Sequence, residues 1–435
     1  MMSEMDIPAV AAACVPDLPE DAIRCILARV PDMVSLFRCT VVCKLWRAIV
    51  VDPAFLGGCG LWPADRRSSL LGFFVQHHAL NANVGTKACG FSPSRVPAFV
   101  AAPGSALGPK HLSLTALIHD NVGILEGAKP LAAWNGLLLI RMLPMPTERN
   151  TVLRLCVCNM VTGKWDALPP IDTADFSDQA ATAIGFAIFT AVYDHPHQPV
   201  PADGYSTLFH VIIFRKHHLD RDACMWEFFS GSGGPELPIW TSWPIEDFPG
   251  QLHGCRAAAI FSGGDTVNWL FHGDANGDGG YEQTLHAVHV SLSTGGFRIV
   301  TVNIPSGFSA WLCRDVGGAR LSLVLVNDKH MKNWNLQMLE DGHEDGYAVW
   351  PEARSVHVGG AEQGLSGMEP VCVGEKSGTM LVLYRSDRDH AYLLDLHSGS
   401  TTMVAGWSSS LDYRTAVPCE IKCLEFFKSR LGVQQ

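Results

Sequence analysis

The chain has no surplus of positive charge, no long hydrophobic run, and none of the short motifs that mark common catalytic sites. Its 32 Lys and Arg stand against 43 Asp and Glu, for a formal net charge of −11. A nucleic-acid partner usually requires a basic stripe, so none is expected. The longest apolar candidate, residues 180–193, falls short of the ~20 residues of a membrane helix and contains Thr182 and Thr190. No membrane partner is expected either. The first residues, with Glu4 and Asp6, lack the basic start of a secretory leader despite the small apolar run from Ala9 to Val15. No Asn-x-Ser/Thr acceptor occurs. Fourteen cysteines are present, but Cys25, Cys39 and Cys43 sit in apolar helical patterns, and Cys156 and Cys158 in a strand pattern. They read as small buried hydrophobes of a reducing compartment, the cytoplasm or the nucleus.

Catalytic and metal-binding spacings are equally scarce. Gly364-Leu365-Ser366-Gly367 has the wrong spacing for a nucleophile elbow. Gly231-Ser232-Gly233-Gly234 lacks the Gly-Lys-Ser/Thr that completes a phosphate loop. Eighteen histidines include the pairs His77-His78, His195-x-His197, His217-His218 and His286-x-x-His289, but no Cys-x-x-Cys or His-Glu-x-x-His supports a site. Asp274-Ala275-Asn276-Gly277-Asp278-Gly279 matches the start of an EF-hand loop, yet position 12 is Leu285 instead of the bidentate Glu. A polar hairpin loop accounts for it better. Cys43 stands beside Lys44, which could favour a thiolate. Helix packing explains it without chemistry. No catalytic residue, cofactor or metal is expected.

What is present starts with the composition: 47% hydrophobic and 17% charged residues describe a globular chain with a substantial core. Residues 18–56 then read as three short helices. Pro19 suits a first helical turn, where its missing N–H would have no partner. Glu20 and Asp21 set negative charge at the positive end of the helix dipole. Ile23, Ile26, Leu27 and Val30 form one apolar stripe. Pro31 stops that helix, and Asp32 can cap a second with Val34, Leu36 and Phe37. A third stretch runs from about Val42 to Val50 and is closed by Pro53. With five basic and four acidic residues this segment is near neutral. It is too short to bury a good core unaided, so part of its apolar surface is expected to meet a partner.

The order of these residues resembles the F-box, the helical module through which substrate receptors join cullin-RING ubiquitin ligases. Leu18-Pro19, Pro31, Leu36, Val42-Cys43-Lys44-Leu45-Trp46-Arg47 and Asp52-Pro53-Ala54-Phe55 fall in its register. The resemblance implies that Leu18, Pro19, Ile23, Ile26, Leu27, Pro31, Leu36, Cys43 and Trp46 divide between the module's core and a Skp-type adaptor. The adaptor in turn links the chain to cullin and RING protein.

After Leu56 the helical period gives way to short strand-like runs. Leu153, Leu155 and Val157 alternate before Thr162-Gly163. Val288, Val290 and Leu292 alternate before Thr294-Gly295, and Tyr392, Leu394 and Leu396 before Ser398-Gly399. With Gly123, Gly233 and Gly342, these turns recur every ~40 to 70 residues, compatible with four-stranded blades. Unbroken apolar runs at Trp134–Ile140, Thr266–Phe271 and Arg320–Val326 suit inner strands buried on both faces. The fold expected is mainly β with a small N-terminal α domain: a three-helix module, then a β-propeller of about six blades, with a pair of β-sandwiches as the alternative. The expected boundaries are a disordered tail over 1–15, helices over 16–58, the propeller over 70–425 and a C-terminal tail over 426–435.

Trp134-Asn135-Gly136-Leu137-Leu138-Leu139, Asn159-Met160-Val161-Thr162-Gly163-Lys164-Trp165 and Leu168-Pro169-Pro170 resemble the associated domain of plant F-box proteins, of the kind abundant in grasses. Met160 stands where that family has Pro. The resemblance implies a non-catalytic receptor that recruits an unknown protein target for ubiquitination and proteasomal degradation. Two other readings remain: an adaptor-binding scaffold without a degradation role, and an enzymatic or sugar-binding propeller with a helical cap.

Overall fold

The computed structural model describes residues 18–30, 33–40, 42–52, 54–55, 69–78, 96–105, 112–113, 118, 123, 125–143, 152–160, 162–172, 182–189, 209–217, 223–230, 240–245, 252–255, 259–260, 266–273, 282–291, 296–314, 321–335, 337–338, 348–349, 352–359, 366–374 and 377–421. The expected tails over 1–15 and 426–435 lie outside them, as do Pro31, the His195 and His197 pair and the Asp274–Gly279 loop. Three helices come first: α1 (Glu20–Leu27), α2 (Met33–Cys39) and α3 (Lys44–Val50). None of the described helices is long and apolar enough to cross a membrane.

The strands follow in six sheets. The first holds β1 (Ser69–His77), β2 (Ala98–Ala101) and β3 (Leu112–Ser113). The second holds β4 (Lys129–Trp134), β5 (Leu137–Arg141), β7 (Leu155–Asn159) and β8 (Trp165–Ala167), with β6 (Val152–Leu153) and β9 (Ile171–Asp172) paired beside it. The third is β10 (Thr182–Phe189), β11 (His210–His217), β12 (Ala223–Phe229) and β13 (Thr241–Ile245). In the fourth, β14 (His253–Cys255) and β15 (Ala259–Ile260) both pair with β16 (Thr266–His272), followed by β17 (Glu282–Ser291) and β18 (Phe297–Pro305). The fifth has β19 (Ser309–Arg314), β20 (Leu321–Val326), β21 (His330–Asn335) and, beyond the small ribbon β22 (Gln337–Met338) and β23 (Ala348–Val349), β24 (Glu352–His357). The sixth is β25 (Met368–Val373), β26 (Thr379–Tyr384), β27 (Asp387–Asp395) and β28 (Thr401–Val404). The last strand, β29 (Leu411–Ile421), returns to pair with β1 and completes the first sheet in the order β29-β1-β2-β3.

The innermost strands form a closed circuit. β29 touches β4, β4 touches β10, β10 touches β14, β15 touches β19, β19 touches β25, and β25 touches β29. This is a six-bladed propeller arrangement, not a pair of stacked sandwiches. Each blade is antiparallel and four strands deep, with β14 and β15 sharing the innermost place in the fourth, so the chain returns to the face from which it started before it moves to the next blade. Inner strands therefore all begin on one face, called here the upper face. That face also carries the links between blades and the turns from second to third strands. β1 runs opposite to β29 and so begins on the lower face, and the helices precede it in the chain.

Strand alternation explains how the blades stack. On β7, Leu155 and Val157 belong to the apolar cluster shared by the second and third blades, while Cys156 and Cys158 belong to the one shared with the first. β20 divides likewise, with Leu321, Leu323 and Leu325 toward the fourth blade and Val324 and Val326 toward the sixth. Period two thus serves two neighbours at once, which is why the second strands β5, β16 and β20 read as unbroken apolar runs. They are second from the axis and not innermost. The run Trp134–Ile140 is also not one strand. Trp134 pairs with Leu137 across a two-residue turn, with φ of 45° at Asn135 and 82° at Gly136. Asn-Gly fits that turn because both central residues need positive φ.

A shared turn on the lower face shows the internal repeat. In the second blade the Asn159 N–H donates to the Lys164 carbonyl (2.8 Å), the Gly163 N–H to the Asn159 carbonyl (2.8 Å), and the Met160 N–H to the Gly136 carbonyl (2.7 Å). In the sixth blade the Asp395 N–H donates to Ser400 (2.9 Å), the Gly399 N–H to Asp395 (2.9 Å), and the Leu396 N–H to Gly378 (2.9 Å). Side chains repeat as well: Asn159 Oδ1 accepts from the Thr162 N–H at 3.0 Å, and Asp395 Oδ1 from the Ser398 N–H at 2.7 Å. Among the described residues the fourth blade shows the first member of the set, Ser291 N–H to the Gly296 carbonyl at 2.8 Å. Gly163 and Gly399 therefore mark equivalent turns. Gly123 lies between blades instead, and Gly233, Gly295 and Gly342 lie outside the described residues.

Candidate functional site

The helical module is built from very short elements. Pro19 precedes α1 with φ −53° and ψ 143°, and its carbonyl accepts from the N–H groups of Ala22 (3.0 Å) and Ile23 (3.1 Å). The proline ring thus fixes the entry angle without a side-chain cap. Arg24 reaches Glu20 one turn back and Asp52 just after α3, each at 2.9 Å. It ties the first helix to the end of the third. The hydrogen bond from Arg24, helped by the Ala54 N–H, holds the Asp52 carboxyl below its ordinary pKa. Cys43 is the residue before α3, and its Sγ accepts from the Trp46 N–H at 3.5 Å.

Burial divides the eight described residues of the nine implied by the resemblance into a covered set and an exposed one, with Trp46 between them. Ile23, Leu27 and Leu36 are buried, and with Ile49, Val50 and Phe55 they belong to one apolar cluster that continues into Leu71, Phe74, Leu138 and Ile421 of the first two blades. Trp46 is half-buried against that cluster. Leu18 is 52% exposed and Ile26 46%, and Pro19 and Cys43 are exposed as well. Pro31 lies outside the described residues. Residues 23 and 27 share one stripe of α1, and 22 and 26 share the stripe about 100° away. The first stripe faces the core and the second faces out.

Two uncovered side chains were missed in the sequence reading: Val42, 62% exposed, and Leu45, 41% exposed. Helical spacing had assigned Val42 to the third amphipathic stretch, whereas α3 begins only at Lys44. The thiols also depart from expectation. Cys25 and Cys43 are exposed and Cys39 is intermediate, while Cys156, Cys158, Cys313, Cys372 and Cys419 are buried in the blades. Helices of seven or eight residues expose most of their circumference, so their thiols lie nearer the surface than those of the blades, where Cys224 on β12 is the intermediate case among the described residues. Cys43 caps a helix instead of packing one.

Histidines that the sequence paired are separated by their hydrogen bonds. His286 Nδ1 meets Thr301 Oγ1 at 3.1 Å, His289 meets Asn268, and His77 and His78 are exposed at the end of β1. Among the described residues no group of three His, Cys, Asp or Glu side chains converges as a metal site.

Residues 15–56 match the sequence profile of the F-box domain. No curated protein matches the chain in sequence. A putative 6-phosphogluconolactonase from Bacteroides fragilis is similar in structure with 9% identity and a TM-score of 0.34, over 78% of this chain and 94% of that one. The Dos1 propeller follows with 9% identity and a TM-score of 0.29, over 63% and 57%. The WD40 domain of SCAP from fission yeast has 12% identity and a TM-score of 0.24, over 53% and 53%. At such scores these likenesses carry no argument about fold or activity.

Proposed function

We propose that this chain is the substrate-recognition subunit of a cullin-RING ubiquitin ligase, with residues 15–56 held by a Skp-type adaptor and the propeller holding a protein target. The observation that carries this reading is a match to the F-box profile on a segment whose Leu18, Ile26, Val42 and Leu45 are uncovered. Large apolar side chains clustered in so short a segment favour a partner that covers them. Leu18, Pro19, Ile26, Val42, Cys43 and Leu45 then touch the adaptor. Ile23, Leu27 and Leu36 hold the helices to the rest of the chain, with Trp46 as a buttress.

The chain itself transfers nothing. Its contribution to rate is proximity: a bound target is kept near a charged ubiquitin conjugate delivered by the RING protein. Ubiquitination leads to proteasomal degradation of that target. Exposed Cys25 and Cys43 thiols are consistent with a reducing compartment, cytoplasm or nucleus. Co-expression with a Skp-type adaptor, followed by capture on a tag, tests the reading. Stable co-purification that is lost in Ile26→Asp/Leu45→Asp supports it. Absence of adaptor from the wild-type capture overturns it.

A further inference from the structure

Two histidines far apart in the chain stand side by side on the rim of the fifth blade. His330 opens β21, and His357 closes β24, the outermost strand of that blade. They are direct partners in the antiparallel register, and their ring centres lie 5.6 Å apart. Their neighbours Met331 and Val356 pack in the cluster shared with the sixth blade, so strand alternation sets both histidines on the other side of the sheet. Both are exposed. The backbone around them is held at several points. Asn327 Oδ1 accepts from the His330 N–H at 2.8 Å, the Asn327 N–H donates to the His330 carbonyl at 3.0 Å, and the Val358 N–H donates to the Lys329 carbonyl at 2.9 Å.

We propose that His330 and His357 together chelate a zinc ion. His357 Nδ1 donates to the Val358 carbonyl at 3.1 Å, which fixes the tautomer and leaves the Nε2 lone pair for a metal. Among the described residues nothing hydrogen-bonds the His330 ring. Other histidines differ: the Nδ1 atoms of His210, His390 and His397 are engaged by Glu227, Asp387 and Arg354. With Zn–N bonds of ~2.0–2.1 Å, two imidazoles on a tetrahedral ion have ring centres roughly 5 Å apart. A cis pair on a square-planar ion brings the centres to roughly 4.5 Å. The separation of 5.6 Å therefore fits tetrahedral zinc better than square-planar copper or nickel, and rotation of two exposed side chains closes the remaining gap. The cations nearest in sequence are Lys329 in the turn and Lys332, two residues along on the same side of β21. They oppose the ion, but at the surface that repulsion is screened. Water completes the coordination, so the site is exchangeable and not a closed structural centre. When filled it clasps β24 to β21 at the end remote from the β22–β23 ribbon that joins them in sequence.

The site is independent of the receptor reading above, and site-resolved histidine modification tests it. Full-length chain stripped of metal by chelator is titrated with zinc chloride and treated briefly with diethyl pyrocarbonate. Mass spectrometry then reads the modification of each histidine. Zinc should protect His330 and His357 together, along one titration curve. In His330→Gln the protection of His357 should need on the order of tenfold more zinc, because the second ligand of a chelate closes intramolecularly. His357→Gln should do the same to His330. Both positions are exposed, so neither substitution should disturb the fold. Magnesium, a hard cation that takes oxygen ligands, should protect neither ring. Unchanged modification of the pair at saturating zinc overturns the inference. So does protection of one histidine at the same zinc concentration after the other is replaced, which marks two independent surface ligands. Equal protection by magnesium overturns it too, since a soft-ligand site would not give it.

Discussion

The Met160 N–H donates to the Gly136 carbonyl at 2.7 Å, joining the turn that ends β7 to the hairpin between β4 and β5. A proline at position 160 could not make this bond. Met160 is also 1% exposed, so its side chain fills space within the core shared by the first two blades. Met160→Pro should therefore cost ~1–3 kcal/mol through the orphaned carbonyl alone, plus the methionine packing. Met160→Leu should cost less than ~1.5 kcal/mol. Chemical denaturation of both variants checks the order. Equal stability would show that the backbone bond does not matter.

The two stripes of α1 should respond in opposite ways. Leu27→Ala opens a cavity at a fully buried site and should cost ~2–5 kcal/mol. Ile26→Ala, one residue away and 46% exposed, should leave the melting temperature within a degree or two yet weaken adaptor capture. Thermal melts and pulldowns on the same preparations separate these effects. If Ile26→Ala melts early and still binds, the assignment of faces is reversed.

Gly185 on β10 lies against Trp269 of the next blade. A Cβ there would sit 2.5 Å from the indole Cδ1 and 2.6 Å from Nε1. Trp269 is fully buried and cannot swing aside. Gly185→Ala should destabilise by ~1–3 kcal/mol through overpacking, and Trp269→Phe should recover part of the loss. A neutral Gly185→Ala would mean that the third and fourth blades stand further apart.

His289 on β17 is pushed down to a pKa of about 4, chiefly by burial and then by Arg298. Its Nδ1 meets the Asn268 side-chain oxygen. Above the ordinary value of 6.5 the ring is neutral in both folded and unfolded chains, and stability is unaffected. As pH falls from 6.5 toward 4 the unfolded chain takes up the proton first, so stability is lost across that window. His289→Gln should flatten this segment of the stability profile relative to wild type. Urea midpoints between pH 7 and 4 give the difference, and parallel profiles would refute the assignment.

Much of this architecture is legible in the residues, and the reasons for the gaps are physical. The alternation of Leu153, Leu155 and Val157 before Thr162-Gly163, and of Tyr392 and Leu394 before Ser398-Gly399, carries the blade because period two and the turn are both local signals. Asn135-Gly136 carried the hairpin signal too, but four leucine and isoleucine residues after it masked the turn. The direction of Ile26 and Leu27 is not legible. Both are apolar, they are adjacent, and only the packed partner decides which one is covered. The pairing of His330 with His357 is invisible for a different reason: the β22–β23 ribbon lies between them in the chain, and sequence spacing holds no information on the register of strands that do not follow one another.

The pairing of Ser69 with Ile421 and Phe74 with Val417 has a consequence in time. A ribosome delivers β1 hundreds of residues before the strand that completes its sheet. Until then one edge of β1 is open, and apolar Phe74 waits for its neighbour. An incomplete sheet of this kind invites capture by chaperones or by another edge. Any product that terminates early therefore lacks both the strand that closes the ring and the part of the helices' own apolar cluster that Val417, Cys419 and Ile421 supply. Chain length is checked at the last strand, by whether the first sheet can close.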